Sequence, residues 1–540
     1  MFDTSVPDPA DLAALSDAEL IDAATATTRA ENAVCARKLA VMAELFIRRT
    51  TLAPQDRLDW WVDPEAAVTA ELAAAHHITQ GLATHQAYRA VVLRDRLPKI
   101  GALFLQGLLS ELLVRAIITR TGLITDPDLI AAVDADLATD ILNWGPLPVK
   151  ATDSQIDAII DRHDPDAVRK SRDPETGRTV QFGNPGDAPG YTSMWARMYA
   201  SDAAAADRTL TALAYSVCDN DPRTLDERRN DAHTALLTGI TTLACQCGNP
   251  DCHASTNPRP LRDITVYALT DHTTTDTGEC GDTDTTDTKP PTPPAPKPRR
   301  SKPILIPARP AYLFGAGFMP APLFDALLAD ATIREIIHPG NRSAPEPRYT
   351  PSQALAEFIR CRDLTCRFPG CDKPATEADI DHTVPYPVGP THPSNLKTLC
   401  RFHHLLKTFW LGATGWRDRQ YPDGTIEWTA PTGHTYTTYP GSRLLFPALC
   451  APTATLWTGE PPQTTLSARR GAMMPKRRNT RAHNRSRYIE AQRRRNRSEK
   501  ICTTRSTDIA RGRDILYRNT LHQFHPPGHE PDYGNDPPPF

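Results

Sequence analysis

Two close pairs of ligand-type residues, Cys366-x4-Cys371 and Cys400-x2-His403, constrain the fold of this chain more than any other feature. Short spacing lets one tight turn present both members of a pair to a single ion. Three thiolates and one imidazole make the closed tetrahedral set of structural zinc. The 28 residues between the pairs are too few for a sizeable apolar core, so the module they close draws on metal binding to fold. In zinc peptides that contribution is on the order of 10 kcal/mol. The alternative, unrelated buried thiols and a surface histidine, leaves the pairing at both ends of one module unexplained.

A second set with different chemistry lies inside this frame. Asp381 and His382 end an alternating run, Asn395 follows a loop rich in Pro and Gly, and His404 comes directly after the last zinc candidate. Taken singly, Asp381, His382 and Asn395 read as turn or capping residues. Together they offer an Asp/His ligand pair without thiolate, which suits a harder divalent ion with open positions. Asp379 falls on the same strand face as Asp381 and is not assigned a role. The adjacent histidines, about 100° apart on a helix, should serve different sites. His403 goes to the zinc and His404 to the second ion, although a swap of these roles remains open.

The pattern D-H, N, H-x2-K, framed by C-x4-C and C-x2-H, resembles an HNH endonuclease domain across about residues 353–410. More broadly, "RTLDERRNDAHTALLTG", "CQCGNPDC", "RYTPSQALAEFIRCRDLTCRFPGCDKPA" and "MMPKRRNTRAHNRSR" resemble segments of an actinobacterial, mycobacterial-type repeat family. Its members join an N-terminal helical domain of unknown function to a C-terminal HNH domain. The resemblance implies a ββα-metal fold and metal-dependent hydrolysis of DNA phosphodiester bonds. It makes His382 the general base, Asp381 and His404 the ligands of Mg²⁺ or another divalent ion, and Asn395 the residue that steadies the loop carrying the base. Many zinc-bearing modules of this class have Cys at the position of His403.

The rest of the 540-residue chain is read from patterning. Residues 10–265 are expected to form a mainly helical domain, with runs at 66–97, 99–121, 126–142, 153–163 and 190–217. Within it "ELAAAHHITQGLATHQAYRAVVL" is read as an ordinary helix pair rather than a helix-turn-helix. An acidic, Thr-rich and then Pro-rich stretch, 266–303, is expected to be a disordered linker. A helical connector should follow at 304–352, then the small α+β module with a β-hairpin to residue 445. A basic tail, 446–540, is expected to be largely disordered.

Net charge is only −3, but residues 469–500 hold 13 Lys+Arg against two acids. Such a run suits nucleic acid or a solvated surface. Arg477, Arg478 and Arg481 are the candidate phosphate contacts there. Lys407 is a further candidate, although an exposed lysine is usually just solvated. No run of 18 apolar residues and no signal-peptide pattern is present, so a cytoplasmic protein without a membrane partner is expected. In that reducing setting cysteines are read as thiols or ligands before disulfides. Cys245, Cys247 and Cys252 are candidates for a second zinc, with His253 or Cys218 open as the fourth ligand. The competing functional readings are a non-catalytic zinc-stabilised DNA-binding protein and a helical partner-binding protein with a vestigial HNH module.

Overall fold

The computed structural model describes residues 7–168, 178–184, 187–188, 190–198, 200–254, 268–269, 311–314, 317–319, 334–462 and 473–510. In chain order these residues form α1 (Asp17–Thr51), α2 (Pro64–His76), α3 (Gln80–Asp95), α4 (Pro98–Leu105), α5 (Glu111–Arg120), α6 (Pro127–Asp140) and α7 (Val149–His163). The hairpin β1 (Thr179–Phe182) and β2 (Met194–Arg197) follows, then α8 (Ala200–Ala214), α9 (Leu225–Leu237) and three short strands, β3 (Ala268–Leu269), β4 (Ala311–Leu313) and β5 (Gly317–Met319). The later chain forms α10 (Gln353–Asp363), β6 (Asp379–His382), β7 (Leu396–Leu399) and α11 (Arg401–Phe409). It ends with β8 (Arg417–Gln420), β9 (Ile426–Thr429), β10 (Thr435–Thr438), the single turn α12 (Ser442–Leu445) and α13 (Arg481–Ala510).

Contacts divide the chain into two compact units that do not follow the domain boundaries expected from sequence order. One contains residues 1–171, 339–440 and 452–540; the other contains 172–338 and 441–451. The reason is a core shared between distant segments. In the first unit, α1 and α3 to α7 pack Leu39, Met42, Leu97, Ile100, Phe104, Ile117, Leu137 and Ile156 into one cluster, which Ile489 of α13 joins. A second cluster brings Trp60, Val62, Ala66, Ala70 and Ala74 together with Phe368, Leu399, Leu405, Trp410, Trp416 and Trp428.

Helix α2 belongs to both clusters. It is Ala-rich and largely buried, and gives Leu72 and Ala73 to the first and Ala66, Ala70 and Ala74 to the second. Asp63 starts it by accepting the Ala66 amide at 2.8 Å, with Pro64 at the first helical position. The pair α2–α3 turns through His77, whose φ is +54°.

Four expectations are corrected. Residues 194–197 are strand, not helix, because Met194 to Arg197 pair with Phe182 to Thr179. Residues 334–350 form no helix: Pro339, Pro345 and Pro347 break it, and the segment instead bonds the 391–392 loop through Glu346 N to Thr391 O at 2.9 Å. The hairpin after α11 is a three-stranded meander, β8–β9–β10. The basic tail is ordered over 473–510, where its arginines meet acids of the N-terminal helices. The linker expected at 266–303 lies outside the described residues apart from β3. Among the described residues no helix is long and apolar enough to cross a membrane.

Candidate metal centre and the strand-helix site beside it

Cys366 and Cys371 sit on a knuckle after α10, closed by Cys366 N to Lys373 O (2.8 Å) and Cys371 N to Phe368 O (3.1 Å). Gly370 makes this turn at φ +75°, and a side chain there would meet the Ile78 carbonyl at 2.8 Å. Cys400 caps the start of α11 and His403 lies in its first turn. His403 Nδ1 is 3.3 Å from Cys400 Sγ and 3.6 Å from Cys366 Sγ, and Cys371 Sγ is 3.9 Å from Cys400 Sγ. All four ligand atoms lie within 4.8 Å of one another. Around a tetrahedral zinc the separations are about 3.5–3.8 Å, so this group can hold such an ion. The His403 ring is fixed by stacking on Phe368, centroids 3.9 Å apart.

The second set assembles on the adjoining hairpin. Strands β6 and β7 are antiparallel, with Asp381 opposite Lys397 and His382 opposite Leu396. Asn395 ends the loop between them. It accepts the Val384 amide at 2.8 Å and donates to Val384 O and Pro390 O at 3.0 and 2.9 Å, which ties the loop to the strand end that carries His382. Gly389 is required here, since a Cβ would lie 2.1 Å from Val384 O.

His382 is buried, stacks on Tyr349, and has Nε2 2.9 Å from Thr391 Oγ1. The Thr391 hydroxyl donates to the Arg348 carbonyl. It therefore accepts from the imidazole, which assigns the proton to Nε2 and leaves the Nδ1 lone pair free. Burial pushes the His382 pKa down to about 4; Asp381 opposes this and the nearby lysines add to it.

Two lysines and two aspartates, buried or nearly so, converge beside His382. Lys397 is fully buried, with Nζ 2.9 Å from Asp381 and 2.7 Å from Asp418. Lys407 Nζ lies 2.6 Å from Asp381 Oδ2 and donates to the His382 carbonyl at 2.6 Å. Burial works against the Asp381 carboxylate, but the two ammonium groups outweigh it and hold its pKa well below the usual carboxylate range. Lys407 is thus neither solvated nor free for phosphate: it is a partner of Asp381.

The other carboxylate oxygen of Asp381, Oδ1, faces His404 Nε2 at 3.6 Å. His404 Nδ1 lies 2.8 Å from Asp379 Oδ2, to which it can only donate; in the neutral imidazole this leaves the lone pair on Nε2. With His404 neutral, the two atoms face each other as electron-pair donors.

Further out, the buried trio Arg362, Asp363 and Arg367 holds this hairpin in place. Arg362 donates to Pro393 O and Leu396 O, both at 2.8 Å, and Asp363 accepts the Thr398 amide at 2.9 Å.

The structure separates the expected phosphate contacts of the tail. Arg477 is buried, with its guanidinium 2.9 Å from Asp63, and Arg481 reaches the same carboxylate at 2.5 Å. Both are corrected from nucleic-acid contacts to internal ion pairs. Arg478 remains exposed. Cys245, Cys247 and Cys252 belong to the second unit, where they converge with Cys218. Sequence reasoning missed Lys397, Asp418, Thr391 and the role of Asp379. The alternation of β6 was the available signal for Asp379, and the strand pairing that faces Lys397 with Asp381 had none.

Residues 26–363 match the family model described as a domain of unknown function, DUF222. The match ends at the last residue of α10, just before the first metal-ligand candidate. Two Mycobacterium tuberculosis proteins, "Uncharacterized protein Rv2100" and "Uncharacterized protein Rv3776", are each 44% identical to the chain. The first alignment covers 91% of this chain and 90% of the relative, the second 89% and 91%. No solved structure matches significantly.

Proposed function

We propose that this protein, which belongs to the DUF222 family, is a metal-dependent endonuclease of the HNH type that hydrolyses phosphodiester bonds in DNA. The observation that carries this reading is the juxtaposition of Asp381 Oδ1 and His404 Nε2 at 3.6 Å, beside a histidine whose protonated form is disfavoured by burial. The order β6, β7, α11, with Asp-His at the end of the first strand and a Cys/His clamp at its base, fits the ββα-metal arrangement.

In this reading His382 Nδ1 takes the proton of the attacking water, and Thr391 fixes the tautomer that leaves Nδ1 available. Asn395 holds the loop so that the base keeps its direction, and Asp379 aims His404. A divalent ion such as Mg²⁺, held by Asp381 and His404, would supply the positive charge that stabilises the phosphate transition state and the leaving 3′ oxygen. The donor set fits it: two protein ligands on one side leave the remaining positions open to phosphate and water. Cys366, Cys371, Cys400 and His403 would hold a zinc ion that fixes the start of α11, and with it His404 one residue on.

The test is nicking of supercoiled plasmid by purified full-length protein in a titration of Mg²⁺ and Mn²⁺. His382→Ala should lower the rate about 10²–10⁴-fold. Equal activity in that variant would remove His382 as the base. One observation favours a second reading, a zinc-stabilised DNA-binding protein without catalysis: Lys397 and Lys407 already balance Asp381 and Asp418. Under that reading Mn²⁺ binding is absent and Asp381→Asn leaves DNA affinity unchanged.

A further inference from the structure

We infer that the second unit contains its own structural metal site, a four-cysteine zinc centre made by Cys218, Cys245, Cys247 and Cys252. Cys218 comes from the turn after α8, and the other three follow α9. Their sulfur atoms all lie within 4.8 Å of one another, and Cys218 Sγ is 3.5 Å from Cys245 Sγ. Four thiolates around zinc, with bonds of about 2.3 Å, place sulfurs about 3.8 Å apart. No pair is joined as a disulfide, and a disulfide would use only two of the four.

The surroundings are built for the cluster. Gly248 takes φ +74° between Cys247 and Cys252, and Cys252 N bonds Asn249 O at 3.1 Å to close the knuckle. Asp221 accepts the amide of Gln246, the residue between Cys245 and Cys247, at 2.9 Å. Arg223 grips Asp221 at 2.8 Å and the Ala244 carbonyl at 2.7 Å. These bonds fix the ligand-bearing backbone without occupying a sulfur.

His253, the other fourth-ligand candidate, is exposed and faces the Ser216 carbonyl at 3.3 Å, outside the group of four. Among the described residues the apolar cluster beside α8 and α9 has three buried members, Val217, Ala232 and Leu243. A core that small needs a staple, and a closed tetrathiolate with no open position supplies one. The site is independent of the endonuclease reading.

Zinc content of full-length protein, purified without a metal-affinity tag, tests the site. Wild type should carry two zinc ions per chain, Cys366→Ser one, Cys218→Ser one and His253→Ala two. Cys218→Ser retaining two ions, or wild type retaining one that Cys366→Ser abolishes, would overturn the assignment. Should Cys218→Ser fail to fold, cobalt replacement of wild type decides. Saturation at two equivalents, with charge-transfer intensity for seven thiolates, supports the site; saturation at one, with three, refutes it. Thiol counting by alkylation before reduction gives a further check: a Cys218–Cys245 disulfide in protein purified under reducing conditions would also refute it.

Discussion

Replacing Lys397 with methionine removes one positive charge from a buried group of four. The intact group is balanced: Lys397 and Lys407 face Asp381 and Asp418. Methionine has similar length and leaves no cavity, so the loss is electrostatic. One carboxylate then stays buried without compensation, which costs about 3–5 kcal/mol in comparable pairs. At about 1.4 kcal/mol per factor of ten, local opening of the β6–β7 hairpin should become roughly two to four decades more frequent. Hydrogen exchange of the amides of residues 380–382 and 396–398 reads this directly and does not need the whole chain to unfold in one step. Lys397→Met with Asp418→Asn restores neutrality and should recover most of the lost protection. A single variant that changes exchange less than tenfold would refute the charge argument. So would a double variant as exposed as the single one.

Three further outcomes follow from the same geometry. Thr391→Val should lower nicking about tenfold or more with zinc content unchanged, because it frees the His382 tautomer; unchanged kinetics would reject the tautomer assignment. On the acid side, the nicking rate should fall only well below pH 6.5, since the base is active when unprotonated and burial lowers the His382 pKa to about 4. A bound cation shifts it the same way, and a pH–rate profile with a limb at or above 6.5 would contradict the buried base. In the tail, Arg477→Ala should cost about 1.5–3 kcal/mol of stability by removing its charged hydrogen bond to Asp63, which keeps Arg481, whereas exposed Arg478→Ala should cost little and instead reduce the salt slope of DNA binding by about one. Thermal denaturation and anisotropy titrations at several salt concentrations separate the two.

The metal clamp was legible because its information is local: two ligands three or five residues apart can share an ion wherever the rest of the chain goes. The separation of His403 from His404 was legible for the same reason, since helix geometry alone divides adjacent residues. Lys397 was not, because a lysine in a polar segment looks solvated until Asp381 and Asp418 are known to face it. The arginines of α13 misled in a related way. Their acceptors Asp63, Asp164 and Asp166 lie more than 300 residues earlier, so the run read as a solvated or nucleic-acid-binding tail. The strand at 194–197 was missed because its partner, β1, supplies the pairing that local propensity does not.

The bond from Trp410 Nε1 to the Val62 carbonyl joins residues 348 positions apart. During synthesis at about 5–20 residues per second, the apolar face of α2 waits roughly 20–70 s for the residues that cover it. Through that interval Trp60, Val62 and the alanines of α2 remain open to other apolar chains. Residues 353–445 released alone would expose the complementary surface, with Trp410 and Leu405 uncovered. Excision of residues 353–445 as an isolated module therefore cuts through a core, and fragments intended to be soluble should carry residues 57–76 with them.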